Sequence, residues 1–381
     1  MQKSNSALQK NRIWLTGKLD ITFLSFVLVL LTIGLVMMFS ASYAYSYEYY
    51  NNSYRFILKQ AIFGVVGVGV MLFVSRIDYH ILRKFAWLIY IVTMIMLLIL
   101  IIAPPMAKGM DVKRWVIIGP INFQPSEIAK FSIILLFSSL IAANHNRMGD
   151  IKVVLFLMTL LAGMCVLVFL EPHISATVLI FAIGILIMVI GGLKIRYIIA
   201  GAVIGVGGLL LAVATKVIGY GSDRVKYWLD PWLDAKGKGF QTIQSLLAIG
   251  SGGVLGRGIG QSRQKHLWVP EPHNDFIFSI VCEELGLLGA LVIIVLFALL
   301  IWRGFVISMN APDKFGSFMA IGLTFQVGLQ AMLNIWVVTN TIPNTGISLP
   351  FFSYGGTSLL LLLAEMGVVL SISRMSNMEK S

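Results

Sequence analysis

Asp275 stands where a carboxylate could act on a bound molecule. It follows Val-Pro-Glu-Pro-His-Asn at 269–274, whose two prolines force an extended approach, and it opens a long apolar run. It could cap the helix that begins there, a task Asn274 could do equally, or it could serve as a general base at the outer mouth of that helix. About two turns deeper lie Glu283 and Glu284, which cannot both share the face of Asp275, so one of them is expected to pair with another helix. Glu127 and Lys130 are three residues apart, hence on one helix face: either a self-neutralising structural pair or, with Arg114, Trp115 and Gln124, one wall of a polar cavity. A glycine-rich stretch at 250–265 interleaves Arg257, Arg263 and Lys265, so it is either a flexible surface loop or a backbone cradle for an anion. Residues 340–357 hold two prolines, three glycines and several hydroxyls including Ser353, irregular backbone that must line a cavity or be buried in protein. Glu365 reads as a further buried acid in a structural pair. His273 beside Glu271 and Asp275 lacks the helical spacing of a metal site, although a divalent ion bridging a phosphorylated substrate to a carboxylate stays open.

These residues sit in an unusually apolar chain. Of 381 residues, 58% are apolar and 12% charged, and the mean hydropathy is +0.88. Ordinary soluble domains are about 45–50% apolar and about 25% charged, so soluble, disordered and coiled-coil classes are excluded. Cys165 and Cys282 both lie in apolar runs, which excludes a disulfide framework. Unbroken apolar runs predict an all-α, polytopic membrane protein with about ten transmembrane helices near 20–42, 57–75, 85–103, 126–143, 153–170, 174–192, 197–215, 275–302, 316–338 and 353–372. The first run is too long for a cleavable signal and is expected to act as its own insertion signal. The whole of 1–381 forms one membrane domain, with a tail at 1–19 and a large extracytoplasmic loop at 216–274 between the seventh and eighth spans. A one-sided apolar pattern at 240–249 suggests a short interfacial or re-entrant helix inside that loop.

The net charge is +12, and its placement is informative. Fifteen of the 29 Lys and Arg fall in the loops on the side of both termini, against four in the short loops opposite, so both termini are placed in the cytoplasm. Eight further cations lie in the long outside loop. The cytoplasmic connections are short and the outside ones elaborate, so the working face looks outward. No nucleic-acid partner is expected. Cations near Asp275 would instead suit an anionic lipid or substrate.

Four motifs in order resemble the SEDS family (shape, elongation, division and sporulation; the FtsW/RodA/SpoVE group). They are Lys113-Arg114-Trp115 with Phe123-Gln124-Pro125-Ser126-Glu127-Ile128-Ala129-Lys130, then Gln244-Ser245 through Gly250-Ser251-Gly252-Gly253, then Pro270 through Phe278, and Leu349-Pro350-Phe351-Phe352-Ser353-Tyr354-Gly355-Gly356. The stretches Gln244 through Gly250 and Gly260 through Lys265 look closer to the division and sporulation members than to the elongation member. The resemblance implies ten transmembrane helices and a glycosyltransferase that polymerises lipid II into peptidoglycan at the outer leaflet of the bacterial cytoplasmic membrane. It implies Asp275 as the catalytic residue. From their own chemistry Arg114, Lys130, Arg257, Arg263 and Lys265 are expected to neutralise the pyrophosphate and Glu127 to orient Lys130 or Arg114, with Gln244, Ser245, His273 and Ser353 also expected around the substrate. The expected partners are lipid II, undecaprenyl-pyrophosphate-linked glycan, a class B penicillin-binding transpeptidase and division regulators at the septum. No cofactor is assigned, and a divalent cation (Mg or Mn) near Asp275 stays open. A lipid II flippase and an elongation-type, RodA-like polymerase are the alternatives. Three departures from the family pattern stand out: Glu171-Pro172-His173 for Gln-Pro-Asp, Asn340 for a common glycine, and Thr357 for a frequent serine.

Overall fold

The computed structural model describes residues 15, 17–102, 114–118, 121–171, 173–194, 196–197 and 226–380. Its helices are α1 (Ile21–Tyr50), α2 (Arg55–Val74), α3 (His80–Ile102), α4 (Pro125–Asn144), α5 (Ile151–Leu170), α6 (Ile174–Ile190), α7 (Phe240–Gly252), α8 (Ile277–Met309), α9 (Lys314–Val338) and α10 (Gly356–Lys380). Among the described residues eight helices are long and apolar enough to cross a membrane, and α6 is an apolar helix of 17 residues. Nine of the ten expected spans are therefore seen as helices, while the seventh, at 197–215, lies beyond Tyr197 outside the described residues.

Local sequence sets several boundaries. Asp20 caps α1 by accepting from the Phe23 N–H at 2.9 Å, Asp150 caps α5 and Asp313 caps α9. Pro125 opens α4, where its missing N–H costs nothing. One element departs from the expected all-α class. Val116–Ile118 (β1) and Ile121–Phe123 (β2) pair antiparallel as a small hairpin in the outside loop before α4, and the Thr357 hydroxyl at the start of α10 donates to Asn122 O at 2.6 Å.

The spans are not equivalent. In α4, α9 and α10, 61%, 56% and 61% of the apolar window is enclosed by protein, against 22% for α2 and 28% for α3 and α8. The first three form the middle of the bundle and can hold polar side chains away from lipid, whereas the others present apolar faces outward. The cytoplasmic end is tied by Arg303, which pairs with Asp20 at 2.7 Å, and by Arg374, which donates to Gly17 O. At the opposite end the outside loops pack together: Arg114 Nε donates to Glu171 O, and Trp228 and Asn340 exchange hydrogen bonds. Asn340 has φ +57°, in the left-handed region that glycine and asparagine tolerate best, which accounts for an asparagine there.

Candidate active site

The chain enters α8 through a tight turn. Glu271, at φ +44°, accepts from the Asn274 N–H at its carbonyl (3.0 Å) and from the Asn274 amide at its carboxylate (2.8 Å). The helix starts at Ile277, two residues later than the expected span, and its N-cap residue Phe276 makes no side-chain cap. Asp275 therefore precedes the helix, and its carboxylate is not used in capping. Three contacts hold its backbone: Asn334 Nδ2 donates to Asp275 O (2.7 Å), Ser353 Oγ to Asn274 O (2.8 Å), and the Tyr354 N–H to His273 O (2.9 Å). The side chain is half-buried and faces two cavities. Burial raises its pKa to about 6, Glu271 adds to the rise, and the Arg114 guanidinium opposes it.

The first cavity, about 510 Å³, is lined by Arg114, Gln124, Glu127, Lys130, His173 and Asp275 among others, with Phe63, Leu179, Leu359 and Leu362 supplying apolar wall. A polar ladder runs along it on α9, where Gln326, Gln330 and Asn334 recur every four residues and so share one face. Gln326 Nε2 donates to Glu365 (2.9 Å), Gln330 Oε1 accepts from Lys130 Nζ (2.9 Å), and Asn334 holds the Asp275 carbonyl. Lys130, almost fully buried, also pairs with Glu127 at 2.8 Å. The second cavity, about 420 Å³, is lined by Tyr227, Trp228, Lys238, Gln241, Thr242, Asn340, Asn344 and Thr345, and shares Arg114, Asp275 and Gly346 with the first. A carboxylate at the junction of two polar cavities, beside a guanidinium and below an apolar wall, can deprotonate a hydroxyl from one molecule next to an anion carried by another.

Residues 21–378 match the FtsW/RodA/SpoVE family model, described as cell cycle protein. The chain belongs to this family. Stage V sporulation protein E of Bacillus subtilis is 37% identical over 364 residues, covering 94% of this chain and 97% of that one. A protein of Legionella pneumophila named probable peptidoglycan glycosyltransferase FtsW is 36% identical over 353 residues, covering 90% and 88%. Among solved structures, a chain of a peptidoglycan synthase complex described as coordinating polymerization and crosslinking superposes with a TM-score of 0.79 at 24% identity, covering 94% and 98%. The rod shape determining protein RodA of Thermus thermophilus superposes at 0.67 with 23% identity, covering 93% and 97%. Both likenesses describe the polytopic membrane fold.

In this FtsW/RodA/SpoVE chain the expected site residues divide into two groups. Arg114, Glu127, Lys130, Asp275 and Ser353 are brought together around the first cavity. Ser353 acts there chiefly as a tie, donating to Asn274 O while accepting from the Leu349 N–H at 2.7 Å. The remaining residues are used elsewhere. Gln244 and Ser245 are buried on α7, the Ser245 hydroxyl donating to Val338 O, while Gln241 and Thr242 on the same helix reach the second cavity. His273 is buried among Tyr45, Phe56 and Tyr354, where burial lowers its pKa to about 4 and keeps the ring neutral. Arg257, Arg263 and Lys265 line neither cavity. Lys265 is buried and bound to Glu284 at 3.0 Å, because the glycine-rich stretch folds against α8 instead of over Asp275.

No group of three or more His, Cys, Asp or Glu converges on a metal-sized site among the described residues, and the Arg114 guanidinium lies beside Asp275. Sequence reasoning missed His173, whose Nδ1 lies 3.2 Å from the Gln124 amide and 3.1 Å from Ser126 Oγ, and it missed the α9 ladder. The ladder did have a signal: three amides four residues apart in an apolar run. It also passed over Trp228 and Gln241, which carry no local pattern, while Asn344 falls within the 340–357 stretch expected to line a cavity.

Proposed function

We propose that the chain is a peptidoglycan glycosyltransferase that polymerises lipid II at the outer face of the cytoplasmic membrane, with Asp275 as its general base. The observation that carries this reading is the uncapped Asp275 carboxylate at the junction of two cavities that share Arg114. An acceptor sugar would present its 4-hydroxyl to Asp275. The carboxylate takes the proton as the oxygen attacks the anomeric carbon of the donor glycan, the bond from that carbon to the undecaprenyl pyrophosphate breaks, and the configuration inverts. Pyrophosphate leaves without protonation, so one carboxylate suffices where glycosidases use two. Arg114 and Lys130 would meet the phosphate charge, and the pair with Glu127 and the bond to Gln330 hold Lys130 in place. A pKa near 6 leaves Asp275 ionised at neutral pH yet more basic than an ordinary carboxylate.

The same reading assigns a class B penicillin-binding transpeptidase as partner and a role in septal or spore wall synthesis. The likeness to FtsW and stage V sporulation protein relatives supports it. The test uses purified protein with its transpeptidase and lipid II. Asp275→Asn, which keeps the shape and removes the base, is expected to lower glycan polymerisation by roughly 10²–10⁴-fold. Polymerisation at the wild-type rate would sink the assignment, and lipid II moved across vesicles without chain growth would favour a flippase.

A further inference from the structure

The helix that follows Asp275 is broken. Gly286, inside α8, has φ +68° and ψ −170°, which separates residues 277–285 from the rest of the span. A break frees carbonyls before it and N–H groups after it, and lipid cannot satisfy them. The glycine-rich stretch does. The Arg257 and Gly258 N–H groups donate to Glu283 O (3.0 Å) and Glu284 O (2.9 Å), while those of Leu287 and Leu288 donate to Gly253 O (3.0 Å) and Val254 O (3.2 Å). The two backbones touch so closely that a Cβ on Gly286 would lie 2.2 Å from Gly256 N. Residues 277–285 are thus not a rigid continuation of the membrane helix, and their attitude depends on what holds them at each end.

The upper end is held by Asn334, Ser353 and Tyr354. The lower end is held by side chains. Glu283 accepts from Ser262 Oγ (2.5 Å), the Arg263 N–H (2.9 Å) and the Gln264 N–H (3.3 Å), with Arg257 Nε at 3.8 Å. Glu284 accepts from Ser40 Oγ on α1 (2.7 Å), Lys265 Nζ (3.0 Å) and the Ser262 N–H (3.3 Å). Lys265 Nζ also donates to Ser40 Oγ (3.1 Å) and Gly260 O (2.7 Å). Both glutamates and Lys265 are buried. Buried ion pairs add little net stability, and their best-attested use is to specify one arrangement over others.

We propose that Glu283, Glu284, Ser262 and Lys265, closed by Ser40 from α1, are positioning residues that aim the Asp275 carboxylate at the junction of its two cavities. This rests on the general-base reading of Asp275. From Glu284 to Asp275 is about 13 Å of chain at helical rise, so a tilt of about 5° at the foot moves Asp275 by about 1 Å. A displacement of that size can cost on the order of 10²-fold in rate.

The experiment compares wild type, Ser262→Ala and the charge-matched double variant Glu284→Gln/Lys265→Met in lipid II polymerisation, with thermal melting as a fold control. The double variant is expected to melt near wild type, to lose at least tenfold in kcat with KM within threefold, and to show a displaced acid limb in its pH profile. Ser262→Ala, which uncovers no cation, is expected to lose kcat about threefold. Wild-type kcat and an unmoved acid limb in the double variant would overturn the proposal, leaving the cluster a neutralised buried pair. If the double variant does not fold, the same result in Ser262→Ala overturns it. Failure of the general-base reading would appear separately, as wild-type polymerisation that survives Asp275→Asn.

Discussion

At the scale of residues, the site depends on how burial and Arg114 divide the titration of neighbouring acids. Asp275 is useful as a base only when ionised, so its pKa of about 6 predicts polymerisation that falls about tenfold per pH unit below 6 and levels off above 7. A rate–pH profile with its acid limb near 4, the ordinary carboxylate range, would contradict the enclosed geometry. Glu171 offers a second case. Both its carboxylate oxygens are buried without a hydrogen-bond partner among the described residues, and burial raises its pKa to about 8 against the pull of Arg114. A carboxyl whose folded pKa is raised destabilises the fold increasingly as pH climbs from its unfolded value toward the folded one. Glu171→Gln is therefore expected to melt like wild type near pH 4 and progressively higher than wild type between pH 5 and pH 8. A difference that does not change with pH would refute the burial account.

At the scale of elements, the connection before α10, residues 339–355, sets the space around Asp275. Gly346 has φ +69°, and a Cβ there would lie 3.3 Å from Asp275 Oδ2. Gly346→Ala would place an L side chain in a strained conformation and crowd the carboxylate. The expected outcome is a fall in kcat on the order of tenfold with KM little changed, measured in steady-state lipid II polymerisation. The α9 ladder shows what was legible at this scale and what was not. The four-residue spacing of Gln326, Gln330 and Asn334 puts them on one face whatever the fold. That Gln330 meets Lys130, 200 residues away, and that Asn334 meets the Asp275 carbonyl, 59 residues away, is tertiary information. Likewise the apolar run beginning near 275 marked a span, but the break at Gly286 required seeing the glycine-rich stretch against it.

At the scale of the whole molecule, charge and burial assign different work to the two ends of the bundle. The cytoplasmic end is closed by side-chain ties such as Asp20–Arg303, while the outer end gathers several loops around Asp275. Gln261 is exposed in the outside loop and Arg147 in a cytoplasmic connection. In intact cells, a cysteine at 261 is expected to react with a membrane-impermeant maleimide, and a cysteine at 147 only after permeabilisation. The reverse pattern would invert the topology.

The sequence alone determined the polytopic α-helical class, predicted the sidedness and marked the ionisable residues held at membrane depth. These follow from composition, run length and the distribution of Lys and Arg, which do not depend on how the helices pack. Only the tertiary structure decided which outside cations face Asp275. Arg114 does, whereas Arg257, Arg263 and Lys265 line neither cavity. The physical reason is the break at Gly286. Its freed backbone groups had to be satisfied in an apolar setting, and the glycine-rich stretch pairs with them and with Glu283 and Glu284 instead of wrapping an anion.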